Sequence, residues 1–150
     1  MLFTAVGLCF SVTIVVEFAI MVGGVSEMTL REKQAKFTWM LSLLFEQFQK
    51  NNDSFVILEL YRSLATQKAY VARGVSKTLS SKHLDGLAID LAFLKDIQDD
   101  GKINYSAEMY KPYGIFWEQL GGRWGGRFGD NPATEKIEGW DLGHFEYKER

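Results

Sequence analysis

The sequence predicts a small α+β domain in which helices pack against an antiparallel sheet. Helical spacing of apolar residues runs through 30–48, and β-rich apolar runs occupy 55–61 and 87–94. An aromatic stripe at helical spacing covers 106–120. The 150 residues are enough for one domain with a substantial core, and no internal repeat or low-complexity segment argues against that.

Residues 1–27 form a hydrophobic segment that we separate from a domain at 28–150. Glu17 is the only charged side chain in residues 1–25, and no Lys or Arg precedes Arg31. The segment is long enough to cross a bilayer, but Glu17 counts against a stable span. A signal peptide normally has basic residues at its start and a small-residue cleavage site. An uncleaved membrane anchor, an atypical signal peptide and a misannotated start before Met28 all remain open.

The first helix of the domain is predicted to begin after Thr29, whose spacing to Glu32 fits a capping box. It ends near 51–53. Its core-facing stripe consists of Leu30, Phe37, Leu41, Leu44 and Phe48. Residues 55–61 predict a buried strand that ends at Arg62.

The next segments alternate between short helices, loops and strands. Residues 66–72 predict a helix ended by Gly74, and 75–82 predict a polar loop at the rim of a site. An apolar strand follows at 87–94, and a tight turn at 99–102 is favoured over a calcium loop, because Ala107 stands where calcium needs a bidentate Glu.

The last part of the chain predicts a core helix, two loops and a strand. The helix covers 106–120, the glycine-rich stretch covers 122–130, and a polar loop covers 131–139. The final strand is predicted at 140–147.

The two histidines of the chain, His83 and His144, both lie near carboxylates. Asp90 lies in the middle of an apolar strand, where a carboxylate is costly unless it is paired or binds a metal. Catalytic zinc typically takes three protein ligands and leaves the fourth position to water. The single cysteine, Cys9, is far away in an apolar segment. These residues predict one open Zn²⁺ site formed by His83, Asp90 and His144, with Gly86 supplying the bend that lets His83 and Asp90 converge.

Asp141, three residues before His144, is the nearest candidate for a general base. Zinc lowers the pKa of its bound water towards neutrality, which makes hydroxide available for attack on a carbonyl. A base must then accept the water's proton and pass it to the leaving amine. We interpret Asp141 as that base, with Gly143 freeing the backbone between it and His144.

The string from Ser81 to Asp90 reads Ser-x-His-x-x-Gly-x-Ala-x-Asp, and a carboxylate-x-x-His follows about fifty residues later. This pattern resembles the zinc D-Ala-D-Ala carboxypeptidases and dipeptidases, a family that includes the phage L-alanyl-D-glutamate endopeptidases. The resemblance covers roughly 28–147 and implies a small hedgehog/DD-peptidase-like domain, with a zinc cleft across the sheet. It is specific for the zinc site and less specific for the substrate.

The resemblance also implies roles for individual residues. Arg62, in a Tyr-Arg-Ser sequence, corresponds to an arginine that stabilises the oxyanion formed when the peptide carbonyl is attacked. Ser81 corresponds to a serine that supports the ligands or binds substrate. Asp141 stands at the family's catalytic carboxylate, so Glu138 and Glu146, which lack that spacing, rank below it. Asp in place of Glu at this position favours the phage-type endopeptidases.

The glycine-rich stretch 122–130 resembles a segment that runs close to the active-site cleft in this family. Arg123 or Arg127 within it could bind a carboxylate of a peptide, and a surface loop explains the two arginines equally well.

The function predicted is zinc-dependent hydrolysis of a peptide bond in the peptidoglycan stem, most simply by an L-alanyl-D-glutamate endopeptidase of phage or prophage lysis. A D-alanyl-D-alanine carboxypeptidase on the same site and a non-catalytic zinc domain that binds wall peptide or a protein are the alternatives. The net charge of −2 gives no indication of nucleic acid as a partner. We expect a monomer that acts on the cell wall, held at the membrane through residues 1–25, or cytoplasmic until lysis if the chain begins at Met28.

Overall fold

The computed structural model describes residues 27–129 and 139–149. The helices are α1 (Leu30–Lys50), α2 (Leu64–Ala72) and α3 (Ala107–Gln119). The strands are β1 (Phe55–Glu59), β2 (Ala88–Phe93), β3 (Gly122–Trp124) and β4 (His144–Tyr147). Single 3₁₀ turns cover Lys82–Asp85, Leu94–Asp96 and Gly125–Arg127. The interpretation of the hydrophobic segment up to residue 26, the polar loop predicted at 131–139 apart from its last residue, and the ranking of Glu138 concern residues outside the described ranges.

The four strands form one antiparallel sheet in the order β1-β2-β4-β3. Asp90 of β2 lies directly opposite His144 of β4, and Arg123 of β3 lies opposite Glu146 of β4. Since side chains alternate between the two faces of a strand, these residues share one face. The predicted α+β architecture with an antiparallel sheet is confirmed.

Helices α1 and α3 cover the other face and form the core with it. The largest fully buried side chains include residues from both helices and from alternate strand positions, among them Phe37, Phe48, Tyr110, Trp117, Ile89, Leu91, Phe93, Trp124 and Phe145. The rings meet edge to face, as in the contacts of Trp117 with Phe37 and Phe145. The aromatic stripe predicted to be core is therefore core.

Helix α1 begins with the predicted capping box, in which Thr29 and Glu32 bond each other's backbone N–H. Phe37, Leu41, Leu44 and Phe48 are buried as expected. The prediction for Leu30 was wrong, because this residue is 46% exposed. It is the first residue of the helix and precedes the turns that contact the core.

Residues 55–61 were predicted to form a buried strand, and the prediction that this strand is buried was also wrong. β1 forms there, but it is an edge strand bonded only to β2 in the described sheet. Ile57 and Leu58 are 51% and 48% exposed. A continuous apolar run is typical of a central strand, whereas here it gives the edge of the sheet an apolar surface.

The remaining boundaries agree closely with the sequence, with two exceptions. The turn at 99–102 is present, with Gly101 in the left-handed region at φ 79°. Residues 122–124, predicted as part of a loop, form strand β3, which pairs with β4. The second exception is the final strand, which is shorter than predicted because residues 141–143 form a tight turn in which the His144 N–H bonds the Asp141 carbonyl at 3.1 Å. Among the described helices, none combines the length and apolar character that a membrane span requires.

Candidate metal centre

His83 is held on a short 3₁₀ turn between the polar loop and β2. The Ser81 hydroxyl accepts from the His83 N–H at 3.4 Å at the start of the turn. Gly86 ends the turn in the left-handed conformation at φ 62°, which other residues adopt only with strain. The chain therefore reverses between His83 and Asp90, and the expected role of Gly86 is confirmed.

Strands β2 and β4 supply the other two side chains of the cluster. Ile89 and Leu91 point into the core. Because successive side chains of a strand point to opposite faces, Asp90 points to the other face of the sheet. Phe145 is fully buried in the same way, which turns His144 and Glu146 towards Asp90. The core packing thus sets the direction of these groups.

Three ligand atoms converge in this cluster. His83 Nε2 lies 3.3 Å from His144 Nδ1 and 3.2 Å from Asp90 Oδ2, and His144 Nδ1 lies 2.7 Å from Asp90 Oδ1. Ligands on a tetrahedral zinc with bonds of about 2.05 Å lie about 3.3 Å apart. Two of the three spacings match that edge, and both histidines are buried. His83, Asp90 and His144 therefore fit one Zn²⁺ ion.

The nitrogens that face away from the cluster have their own partners. His83 Nδ1 lies 3.3 Å from the Leu60 carbonyl oxygen, which can only accept, so Nδ1 donates and Nε2 is available to a metal. His144 Nε2 lies 3.2 Å from Glu146 Oε2. Such outer hydrogen bonds fix the tautomer and orientation of a metal-binding histidine. Glu146 therefore supports His144, a role that its sequence position alone does not indicate.

The side chains of the cluster shift one another's pKa values. Burial raises the pKa of Asp90, but the hydrogen bonds with His144 and His83 outweigh it and hold the pKa well below its usual range. Burial lowers the pKa of His144, but the bonds with Asp90 and Glu146 outweigh that effect and raise it to about 9. Metal binding must displace the His144 proton, so zinc affinity is expected to rise with pH.

Asp141 lies on the turn before β4, beside the cluster. Burial raises the pKa of its carboxyl, and the attraction of His144 reduces the shift only in part. A raised carboxyl pKa suits a group that must both accept and return a proton. The turn is fixed by the buried Trp124, whose indole N–H donates to the Leu142 carbonyl at 2.8 Å.

Gly143 is required in this turn by a close approach of two backbones. A Cβ at this position would lie 2.4 Å from the Leu91 carbonyl oxygen and 2.9 Å from Cε1 of Tyr105. The Leu91 N–H also donates to the Gly143 carbonyl at 3.0 Å. Lack of a side chain, more than freedom of the backbone, explains this glycine.

Arg62 lies just after β1 and reaches the edge of the cluster. Its guanidinium forms a two-point ion pair with Glu59 and lies 3.7 Å from Asp90 Oδ2. The buried Gln67 accepts from Arg62 Nη1 at 2.7 Å. The Arg62 backbone N–H also donates to the His83 carbonyl at 3.1 Å, so the arginine and the histidine turn hold each other.

Gln67 and Tyr105 are two site residues that the sequence did not single out. Gln67 is fully buried in the short helix α2 and donates to the Thr78 carbonyl at 2.6 Å, which ties Arg62 to the polar loop. A glutamine that faces inwards on a nine-residue helix is a weak sequence signal. Tyr105 packs on Gly143 and lines the cleft, and its place in an irregular segment gave no periodicity to read.

Of the two arginines in the glycine-rich stretch, Arg123 is the one that lines the cleft. Its guanidinium bonds Glu146 at 3.0 Å and stacks on Phe128 with Cζ 4.3 Å from the ring centroid. Arg127 instead pairs with Glu118 of α3 at 2.9 Å and is not among the residues that line the cleft. Of the two arginines that the sequence offered as carboxylate-binding residues, the structure thus brings Arg123 to the cleft and pairs Arg127 with α3.

The cleft runs across the sheet on both sides of the metal cluster. A cavity of about 560 Å³ extends towards β1, and one of about 640 Å³ extends towards β3. Four residues line both cavities: Glu59, Tyr70, Asp90 and Asp141. The two cavities are therefore the β1 half and the β3 half of one groove that passes the candidate metal and Asp141.

Comparison with known proteins agrees with this fold and site. A family model described as D-alanyl-D-alanine carboxypeptidase matches residues 74–147, a range that contains His83, Asp90, Asp141 and His144. No curated protein sequence matches the chain.

Solved structures with similar folds include the following three. The L-Ala D-Glu endopeptidase ChiX of Serratia marcescens is 22% identical with a TM-score of 0.53, covering 79% of this chain and 83% of that one. The LdcB LD-carboxypeptidase is 17% identical with a TM-score of 0.52, covering 75% and 64%. The vancomycin resistance D,D-dipeptidase VanXYg is 21% identical with a TM-score of 0.50, covering 75% and 49%. The chain thus spans less than two thirds of the latter two, and the likeness concerns the fold.

The fold and the buried His-Asp-His cluster together define a zinc peptidase. The chain matches the D-alanyl-D-alanine carboxypeptidase family model over residues 74–147, in agreement with the family that the Ser-x-His-x-x-Gly-x-Ala-x-Asp motif predicted. It is a hydrolase of the class that acts on peptidoglycan peptides.

Proposed function

We propose that the protein is an endopeptidase that hydrolyses the L-alanyl-D-glutamate bond of the peptidoglycan stem. The groove that continues on both sides of the metal cluster supports this proposal. An endopeptidase must hold chain on both sides of the scissile bond, whereas a carboxypeptidase needs a site that ends one residue beyond it. ChiX, one of the proteins with a similar fold, is named as an L-Ala D-Glu endopeptidase, which is the activity proposed for this chain.

The candidate catalytic groups are Asp141 and Arg62. Zn²⁺ held by His83, Asp90 and His144 would supply a Lewis acid that polarises the carbonyl and acidifies water. Asp141 accepts a proton from the attacking water as the new C–O bond forms. The Arg62 guanidinium, fixed by Glu59 and Gln67, faces the developing oxyanion without reorganising.

The second half of the reaction returns the proton. Asp141 passes it to the amine nitrogen as the C–N bond breaks, which leaves a free carboxylate on L-Ala and a free amine on D-Glu. Burial raises the pKa of the Asp141 carboxyl, which makes its carboxylate a stronger base than an exposed Asp and lets it keep the water's proton until the leaving amine accepts it. Ser81 holds the turn that carries His83, so we assign it a supporting role at the metal.

The test uses the full chain loaded with zinc and incubated with purified peptidoglycan, with and without a chelator. Mass spectrometry of the products is expected to find new D-Glu amino termini that are absent when the chelator is present. Release of free D-Ala would instead assign the carboxypeptidase. No metal-dependent product would indicate a zinc domain that binds the wall without cleaving it.

A further inference from the structure

The two halves of the groove differ in charge. The described residues that line only the β1 half are uncharged: Leu58, Leu60, Tyr61, Tyr105 and Gly143. The β3 half adds four basic side chains, Arg62, Lys77, Lys82 and Arg123, against one further acidic side chain, Glu146. The groove is therefore polarised along the direction in which a substrate would lie.

Lys77 and Arg123 are held at the β3 half by aromatic rings. Lys77 Nζ lies 5.3 Å from the centroid of the Trp140 ring, and Arg123 stacks on Phe128 at 4.3 Å. A cation on a ring face keeps its N–H donors available while losing some of its side-chain freedom. Arg123 uses one nitrogen for Glu146, and a guanidinium carries five N–H donors.

The position of Arg123 relative to the cluster follows from the sheet. Arg123 lies opposite Glu146 on β3, which is one strand beyond His144. Neighbouring strands are about 4.8 Å apart, and an extended chain advances about 3.3 Å per residue. A carboxylate one or two residues beyond the scissile bond would therefore come within reach of the Arg123 side chain.

The proposed substrate is polarised in the same sense. On one side of the L-Ala–D-Glu bond, L-Ala is attached to an uncharged sugar. On the other side, D-Glu continues the stem through its side-chain carboxyl, which leaves its α-carboxyl as a negative charge. Placing the negative side of the substrate in the basic half of the groove orients the substrate and disfavours binding in the opposite direction.

We propose that the stem peptide lies across the sheet with its D-Glu α-carboxylate and following residues in the β3 half, bound by Lys77 and Arg123, and with its sugar-bearing end in the β1 half against Tyr61. This inference rests on the proposed function and adds a direction and a specificity to it. In this orientation, the free α-carboxylate of D-Glu determines substrate specificity, and amidation of that carboxylate weakens binding.

The test compares two soluble muramyl peptides that differ only at the D-Glu α-carboxyl, free in one and amidated in the other. The full chain loaded with zinc is expected to cleave the free acid with a kcat/KM about tenfold higher, mainly through KM, since a hydrogen bond to a charged group is worth more than a neutral one. The ratio is measured on one enzyme, so a general loss of metal or fold cancels.

The variants assign this ratio to the two basic residues. Lys77→Gln is expected to reduce the tenfold preference to about threefold, and Lys77→Gln with Arg123→Gln to abolish it. Arg123→Lys keeps the charge and should keep most of the preference. Lys50→Gln, at the far end of α1, removes an equal charge outside the cleft and should leave the ratio unchanged.

Tyr61→Ala tests the other end with the free-acid peptide carrying or lacking its sugar. The sugar is expected to raise kcat/KM several-fold, and this gain should disappear in Tyr61→Ala while the acid preference stays.

The outcomes separate the orientation from the proposed function. Equal cleavage of acid and amide, or a preference that survives the double variant, would overturn the orientation and leave the endopeptidase standing. A sugar gain that depends on Lys77 rather than Tyr61 would reverse the orientation. No L-Ala–D-Glu cleavage in either peptide would overturn the proposed function and the orientation with it.

Discussion

The two faces of the central strands carry opposite chemistry at neighbouring positions. On one face, Leu91 and Phe145 are fully buried among the aromatic rings of α1 and α3. On the other face, Asp90 and His144 point at each other and at His83. The polar face gains little from burial, yet its geometry is well defined, because a shift of one residue in register would expose every core side chain.

The comparison shows that packing of the core, more than contacts within the metal cluster, sets the positions of the cluster side chains. Removing the metal ligands should therefore abolish chemistry and leave the fold, whereas removing core side chains should weaken the fold and leave the chemistry of folded molecules. The predictions below separate these two effects, from the largest to the smallest.

The largest effect is expected for His83→Ala. Loss of one of three zinc ligands should reduce zinc affinity by more than about a hundredfold and make peptidoglycan cleavage undetectable. Zinc titration by calorimetry and the product assay measure both. Asp85→Asn in the same turn is the matched control and should behave like the wild type, since its side chain lies outside the cluster. Retained cleavage in His83→Ala would contradict the metal site.

Asp141→Asn is expected to reduce kcat by about 10³-fold while leaving zinc affinity nearly unchanged. The amide keeps the shape of the carboxyl but cannot accept the water's proton. Asp100→Asn, in the exposed turn after β2, removes a similar carboxyl far from the groove and serves as control. Wall cleavage at the normal rate in Asp141→Asn would show that another group is the base.

Leu91→Ala tests the core face. Deleting this fully buried side chain should lower the free energy of unfolding by about 2–5 kcal/mol, with kcat of the folded fraction little changed. Its partner across the sheet, Ile57, is half exposed on β1, so Ile57→Ala should cost about 1 kcal/mol or less. Denaturant titrations measure both. Equal losses would mean that the edge strand is as important to stability as the central one.

The sequence was sufficient for the cluster because each of its parts leaves a local signal. Asp90 interrupts an apolar run, Gly86 marks a reversal, and both histidines lie in short motifs. The strand alternation that directs Asp90 is likewise local. These features can be read without knowing which strands are neighbours.

The parts that sequence reasoning missed depend on which elements lie next to each other. The apolar run at 55–61 predicts a strand, but only the sheet order makes it an edge. Arg123 lies on β3 opposite Glu146 and so faces the cleft, whereas Arg127 lies on the following 3₁₀ turn and pairs with Glu118 of α3. The contact of Gln67 with Arg62 joins two segments whose packing no periodicity encodes.

The smallest effect is expected for Glu146→Gln. Glu146 lies on the polar face and contacts the metal ligand His144, but it is not itself one of the three proposed ligands. The Glu146 carboxylate accepts from His144 Nε2, and its loss should reduce zinc affinity by about 10–100-fold without removing a ligand. Activity should therefore return when zinc is raised to saturation, which it cannot do in Asp141→Asn. Measuring cleavage against free zinc separates the two carboxylates. If saturating zinc left Glu146→Gln as impaired as Asp141→Asn, Glu146 would take part in proton transfer, and the assignment of the base to Asp141 alone would have to be given up.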